Sequence, residues 1–247
     1  MNDLTLAMTF ILVLIAMAIS YKEQLGLEKD LILGSIRAVI QLFLIGAVLK
    51  FVFQVDNLWF TSLILVSMVL NAAWVAAKRG AGIPNALAIA FVSIASGLAI
   101  TLTCLLSVGA LHYQPSEVIP VSGMVVGNSM VATGLLFKTL LQSFAAQRGE
   151  IEAKLCLGAG TREASRAIVR SSIRTALVPT VDGMKTLGLV QLPGMMTGLI
   201  LAGADPQLAI RYQIMVAFML AGAVSLSSFI ASYWACRGFF NRYMQLI

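Results

Sequence analysis

Seven long apolar runs constrain this chain more than any other feature. They cover residues 4–20, 31–53, 58–77, 86–108, 118–137, 186–204 and 212–236. As helices, runs of this length can cross about 30 Å of hydrocarbon. Only 11% of the 247 residues are charged, whereas soluble domains carry about 25%. These features predict an all-α integral membrane protein with about seven transmembrane helices, and they exclude soluble, disordered and disulfide-framework classes.

The basic residues predict the orientation of these helices. Fifteen Lys and Arg fall on one side of the predicted membrane, Arg242 among them, and only Lys50 and Arg211 fall on the other. Because cytoplasmic loops retain Lys and Arg, the N-terminus is expected outside and the C-terminus in the cytoplasm. The net charge of +6 is explained by these loops, so no nucleic-acid partner is expected.

The start of the chain carries the acid Asp3 where a signal peptide has basic residues, so the first run is expected to remain as a helix. The sixth run contains Pro193 together with Gly188, Gly194 and Gly198, which predict a broken or kinked helix. We therefore expect a single transmembrane domain over residues 1–247. Its lipid bilayer is expected to be the plasma membrane, which in bacteria is the inner membrane.

The longest cytoplasmic connection, residues 138–185, is expected to be helical. Residues 148–157 contain no proline, and Gly158 follows them as a typical stop. A second helix is expected from Thr161 to residue 177, ending before Pro179.

This second helix carries a row of basic residues at four-residue spacing: Arg162, Arg166, Arg170 and Arg174. Val169 and Ile173 fall inside the same sector, so a cleanly amphipathic helix is not expected. Two interpretations are open, contact with lipid head groups and docking onto another protein.

The sequence contains no catalytic constellation. The single histidine, His112, has no nucleophile near it, and the three cysteines form no CxxC pair. The G-x-x-x-x-G-K-[ST] motif of nucleotide hydrolases is absent. The chain is therefore expected to be a transport protein with no cofactor of its own.

Residues 152–158 of the cytoplasmic connection resemble the EAA signature of ABC importer-type permeases, E-A-A-x-x-x-G. Glu152, Ala153 and Gly158 stand at the signature positions, and Ile168 stands where the signature has a later isoleucine. Lys154 replaces the second alanine, and Arg-Ser at 170–171 replaces the usual Leu-Pro. The resemblance implies contact with an ATPase, for which we select Glu152, Ala153, Gly158, Ala159 and Arg162.

A wider resemblance covers roughly residues 20–235. Residues 178–212 read VPTVDGMKTLGLVQLPGMMTGLILAGADPQLAIRY, accompanied by RAVIQL at 37–42 and NAAW at 71–74. Together these motifs resemble the FetB family of ABC permeases, small seven-helix proteins linked to iron export and metal homeostasis. The resemblance implies a cytoplasmic ABC ATPase subunit that binds ATP and Mg, and a second copy of this chain.

Polar groups inside apolar runs are the candidates for a translocation path. Asn71 and Asn128 could line it, or they could form hydrogen bonds between helices. The break at Pro193, Gly194, Met195 and Met196 is the candidate gate, because Pro193 cannot donate a backbone hydrogen bond.

Metal ligands are harder to identify in this sequence. The methionines near the gate favour soft Cu(I), and they are also ordinary apolar filler. Oxygen ligands suit iron, and Glu117 and Asp205 near the outer face are the candidates. The resulting hypothesis is a permease subunit that exports iron or another metal species. The alternatives are an ATPase-independent secondary transporter or channel for a small solute, and a membrane scaffold.

Overall fold

A computed structural model describes residues 3–55, 58–241 and 243–246, and within them the regular structure is helical. Arg242 and the loop residues 56–57 lie outside the described residues, as does the side chain of Lys50. The helices of the described residues are α1 (Asp3–Lys22), α2 (Glu28–Val55), α3 (Leu58–Arg79), α4 (Ala86–Ser107), α5 (Pro115–Ala146), α6 (Arg148–Cys156), α7 (Thr161–Ala164), α8 (Arg166–Thr186), α9 (Gly194–Leu201) and α10 (Pro206–Arg237). They form two units, one with α1 and α2 and one with α3–α10.

The first unit is a helical hairpin. Its turn needs left-handed backbone at Gln24, with φ of 50°, and at Gly26, with φ of 69°. The buried Ser20 hydroxyl donates to Glu28 Oε1 at 2.7 Å and accepts from the Leu27 N–H at 3.3 Å. One side chain therefore joins the end of α1 to the start of α2. The first two predicted runs are confirmed as helices, each a few residues longer than its apolar core.

The second unit contains four helices that are long and apolar enough to cross a membrane within the described residues. They cover Trp59–Arg79, Ala86–Ser107, Pro115–Ala146 and Pro206–Arg237. They correspond to the third, fourth, fifth and seventh apolar runs. The prediction of an all-helical membrane protein is thereby confirmed. Helices α5 and α10 begin before their apolar runs, because Pro115 and Pro206 stand in their first turns.

Two hydrophobic clusters show how these helices run. The first cluster, which includes Val69, Val125 and Val216, draws on the earlier parts of α3, α5 and α10 and on the later part of α4. The second, which includes Phe137 and Val224, draws on the opposite parts of the same helices. Thus α3, α5 and α10 are parallel to one another and α4 is antiparallel. The segment between α5 and α10 must return the chain from one end of the bundle to the other.

That return is made by α8 and α9, and it corrects two details of the prediction. The expected stop before Pro179 is wrong, because α8 continues through this proline to Thr186. Packing of α8 against α5 and α10 holds the helix where local propensity would end it. The expected break is confirmed, and it lies at residues 187–193. Pro193 is therefore the cap residue of α9 and does not kink a continuous helix.

Candidate functional site

The predicted coupling segment is a short helix fixed to the bundle on one face. Ile151 of α6 is only 1% exposed and belongs to the second hydrophobic cluster, and Leu155, one turn later, packs against that cluster. Residues four apart lie on the same helix face, so these two side chains anchor α6 along its length. The opposite face is left accessible.

The end of α6 is a tight turn centred on Gly158, whose φ is +91°. The Ala159 N–H donates to the Lys154 carbonyl at 3.0 Å, and the Gly158 N–H donates to the Leu155 carbonyl at 3.0 Å. These two bonds define a Schellman motif, which satisfies the last carbonyls of a helix. The predicted helix and glycine stop are confirmed, and the physical reason for glycine is its left-handed backbone.

Three of the coupling candidates lie on the accessible side. Glu152 is exposed and accepts from Arg148 Nε at 2.9 Å, while Ala153 and Gly158 are exposed beside it. Ala159 is half-buried. Sequence reasoning missed Leu157, which is 88% exposed at the tip of the turn. The sequence carried a signal for this residue, because Leu157 is apolar, directly precedes the glycine stop and does not share a helix face with Ile151 and Leu155.

Arg162 follows in the four-residue helix α7. Its guanidinium carbon lies 5.2 Å from the centroid of the Tyr233 ring on α10, within the range of a cation–π contact. The structure thus places Arg162 against the end of α10, next to the start of α8.

The basic row on α8 is separated from its apolar face, which corrects the expected mixed helix. Val169 is buried and Ile173 packs against the second hydrophobic cluster, whereas Arg166, Arg170 and Arg174 are exposed. The two apolar side chains lie at the edge of the basic sector, close enough to the bundle to reach its core.

Two residues selected for the translocation path share a cavity of about 510 Å³. Asn128 on α5 and Pro193 before α9 both line it, together with the last turns of α8 and with Gln213 on α10. The Asn128 amide nitrogen donates to the Met124 carbonyl at 2.8 Å. Its amide oxygen has no partner among the described residues and so remains available to a ligand.

Gln213 is the residue of this cavity that sequence reasoning missed. It is 9% exposed, and its Oε1 is buried with no hydrogen-bond partner in the described structure. A buried amide oxygen without a partner carries a desolvation cost, so its presence calls for a reason. The signal in the sequence was a glutamine at the second position of an apolar run, on the face that Ala209 and Val216 bury.

The one acid among the described residues that line this cavity is Asp182, which forms an ion pair within its own helix. Its carboxylate accepts from Lys185 Nζ at 3.0 Å, one turn along α8. The cavity therefore offers neutral amide and hydroxyl oxygens with one paired carboxylate, which is a donor set that suits a cation or a polar solute.

The other path and gate candidates lie elsewhere. Asn71 is exposed on α3 and does not line this cavity. Gly194 begins α9, Met195 packs against the first hydrophobic cluster, and Met196 is half-buried. The turn before them closes its own hydrogen bonds, since the Gln191 N–H donates to the Thr186 carbonyl at 3.1 Å.

The two candidate metal ligands, Glu117 and Asp205, lie at the starts of helices α5 and α10. Glu117 Oε2 accepts the backbone N–H of His112 at 2.8 Å, in the first turn of α5. Asp205 caps α10 through its backbone, ahead of Pro206, and its side chain forms no capping hydrogen bond. Among the described residues, no three His, Cys, Asp or Glu side chains come together as a metal site.

Comparison with known proteins gives this architecture a family. Residues 3–240 match the family model described as "Uncharacterised protein family (UPF0014)". The chain is 48% identical over 243 residues to the "Probable iron export permease protein FetB" of Escherichia coli, covering 98% of this chain and 94% of that protein. No solved structure matches the chain.

Plant proteins are similar over almost the same length. The identity is 41% with the "UPF0014 membrane protein STAR2" of Oryza sativa, over 95% of this chain and 82% of that protein. It is 37% with the "Protein ALUMINUM SENSITIVE 3" of Arabidopsis thaliana, over 97% of this chain and 88% of that protein. The resemblance drawn from the sequence motifs is thus confirmed, and the chain belongs to the UPF0014 family of membrane proteins.

Proposed function

We propose that this chain is the membrane-spanning subunit of an ABC transporter that exports iron or another metal species. A separate cytoplasmic ATPase binds ATP and Mg and supplies the energy, and two copies of the chain present two equivalent docking surfaces. ABC machines have two nucleotide sites, so a C₂ dimer is the simplest closed arrangement.

The observation that carries this proposal is the build of α6 and its turn. Ile151 and Leu155 fix the helix to the bundle, and the Gly158 turn holds Leu157 exposed at its tip. A partner that pushes on an anchored helix moves the bundle, whereas a partner that pushes on a loose loop moves only the loop. Glu152, Ala153 and Gly158 form the exposed docking face, with Ala159 and Arg162 at its border.

The proposed topology has seven crossings. The hairpin α1–α2 contributes two, and α3, α4, α5 and α10 contribute four. The return through α8 and α9 is the seventh, since α9 alone, at about 12 Å, is too short to span. The N-terminus lies outside and the C-terminus in the cytoplasm, because this places α6, α7 and the basic row of α8 on the cytoplasmic side.

The cavity that contains Asn128, Gln213 and Pro193 is the proposed substrate path. Its amide oxygens suit a metal cation or a small metal complex as cargo, and the turn before α9 supplies a break beside it. Approach of the two ATPases shifts α6, the α8–α9 return moves with it, and the cavity opens to the other side. The name of the Escherichia coli relative supports iron and export.

Co-purification is the first test. The full chain, tagged and extracted from native membranes in several mild detergents, is expected to bring down a P-loop ATPase in equal amount. The pair reconstituted in liposomes is then expected to move iron only with ATP. A chain that purifies alone and moves a solute without ATP would contradict the proposal and favour a secondary transporter or channel.

The docking face is tested by Leu157→Asp, with Leu25→Asp as the matched control. Both leucines are exposed and lie outside the proposed crossings, Leu157 on the coupling turn and Leu25 on the turn between α1 and α2. The expected result is loss of ATPase binding only in the first variant. Equal loss in both variants, or in neither, would place the ATPase contact elsewhere.

A further inference from the structure

A second cavity, of about 730 Å³, lies where the start of α8 meets the end of α10. Its walls come from α7, the first turn of α8, the last turn of α10 and Phe240. None of the residues selected for the translocation path line it. Of the coupling candidates, only Arg162 does.

The charge of this cavity is strongly positive. Arg162, Arg166 and Arg237 line it, and Glu163 is the only acid in the lining. Within the described residues, none of the three guanidinium groups has a carboxylate within ion-pair distance. Arginine donates in a planar fork that matches phosphate oxygens, so three such groups around one hollow favour a phosphate-bearing anion.

The floor of the cavity is buried and polar at one point. Ser165 is buried, and its hydroxyl accepts the Cys236 thiol at 3.1 Å. This contact joins the residue before α8 to the last turn of α10, so the two arginine-bearing segments are held together. The segments that carry the arginines are therefore joined at their base, and the arginine side chains themselves are exposed at the mouth.

Aromatic side chains set the depth of this cavity in the membrane. Tyr233 lines it and packs against the exposed Phe229 with ring centroids 4.7 Å apart, while Trp234 is also exposed. All three lie in the last three turns of the apolar helix α10. Exposed aromatic residues near the ends of membrane helices lie at the level of the lipid head groups. From these aromatic residues we infer that the cationic hollow lies at the level of the lipid phosphates.

We propose that this cavity binds the phosphate of one anionic phospholipid headgroup, held between Arg162, Arg166 and Arg237. The exposed Phe229 and Trp234 of α10, which precede Arg237 and so lie on its membrane side, line the course of the acyl chains. Basic hollows between membrane helices on the cytoplasmic side recognise such head groups through the same chemistry. The bound lipid fastens the start of α8 to α10, and this does not depend on an ATPase partner.

Native mass spectrometry of the purified full chain in detergent tests the proposal, with phosphatidylglycerol against phosphatidylcholine as added lipids. One phosphatidylglycerol per chain is expected to bind in preference. The variant Arg166→Gln/Arg237→Gln is expected to weaken this binding by about tenfold or more. The control Arg170→Gln/Arg174→Gln removes the same number of charges from exposed positions on α8 that do not line the cavity, and is expected to bind lipid as the unaltered chain does.

Further arms separate the other sources of an anion. Arg166→Lys/Arg237→Lys keeps the charge, so weaker binding in this correctly folded variant supports the forked contact. Displacement of the lipid by millimolar inorganic phosphate would overturn the proposal in favour of a free phosphate site. Equal weakening in the control would overturn it in favour of diffuse surface charge. If Arg166→Gln/Arg237→Gln binds lipid as before but no longer binds the ATPase, the arginines contact acidic side chains of that partner, and the proposal is overturned.

Discussion

The Ala223 carbonyl oxygen of α10 lies only 3.0 Å from the point that a Cβ on Gly97 of α4 would occupy. The Cβ of Ser227 lies 3.4 Å from the same point. The two antiparallel helices therefore touch through backbone at this point. Small residues that let backbones approach are a principal source of helix association in membranes, because lipid supplies no hydrophobic driving force.

This contact predicts a strong effect of Gly97→Leu. The new side chain meets backbone that cannot move aside, so the stability of the helix bundle is expected to fall by about 1–3 kcal/mol. The measurement is the fraction of monodisperse protein that survives heating in detergent, followed by size-exclusion chromatography.

The control for this change is Gly222→Leu, because no atom lies within 4 Å of a Cβ built on Gly222. That variant is expected to melt close to the unaltered chain. A Gly97 variant as stable as its control would mean that α4 and α10 are farther apart than described.

The turn after α6 predicts opposite outcomes for two neighbouring glycines. Gly158 has φ of +91°, whereas Gly160 has φ of −68° and ψ of 156°, and neither has an atom near a built Cβ. Gly158→Ala is expected to destabilise the turn by about 1–2 kcal/mol through its left-handed backbone. Gly160→Ala is expected to be neutral. Hydrogen exchange of the backbone amides at positions 158 and 159 measures the difference. Equal exchange in both variants would argue against the Schellman turn.

The anchor of α6 predicts a local loosening in Ile151→Ala. Removing a fully buried isoleucine costs about 2–5 kcal/mol, and a nine-residue helix has few other contacts to compensate. Amides of residues 148–157 are expected to exchange faster while those of α3, α4 and α10 keep their protection.

The matched change for this helix is Leu157→Ala, which removes an exposed side chain of the same size. It is expected to leave amide exchange unaltered and, under the proposed function, to weaken ATPase binding. Unaltered exchange in Ile151→Ala would show that α6 is held by something other than this side chain.

The unpartnered oxygen of Gln213 predicts that stability and transport respond differently to Gln213→Met. Methionine has a similar shape and removes the buried, unpartnered oxygen. The free energy of unfolding is therefore expected to stay level or to rise by up to about 1–3 kcal/mol, which a thermal melt in detergent measures. ATP-driven metal flux in liposomes is expected to fall. A clear loss of stability in this variant would mean that the amide has a partner in the folded protein.

Several features follow from local sequence patterns. The apolar runs predict the helices because backbone groups in hydrocarbon can be satisfied only within a helix. The glycine at 158 predicts the end of α6 because the stop needs a residue that accepts positive φ, and the motifs at 178–212 predict the family. The helical hairpin near the N-terminus and the break before α9 were also predictable, since glycine and proline act locally.

Other features depend on contacts between residues far apart in sequence, which local patterns do not predict. Pro179 stays inside α8 because α5 and α10 pack against that helix, and no local signal contains those contacts. Asn128, Pro193 and Gln213 share one cavity, while Asn71, with the same side chain as Asn128, does not line it. Which polar groups face one another depends on helix rotation and direction, and these are set by packing between helices. Local patterns predict which segments become helices, whereas packing between distant segments decides where α8 ends and which polar faces meet.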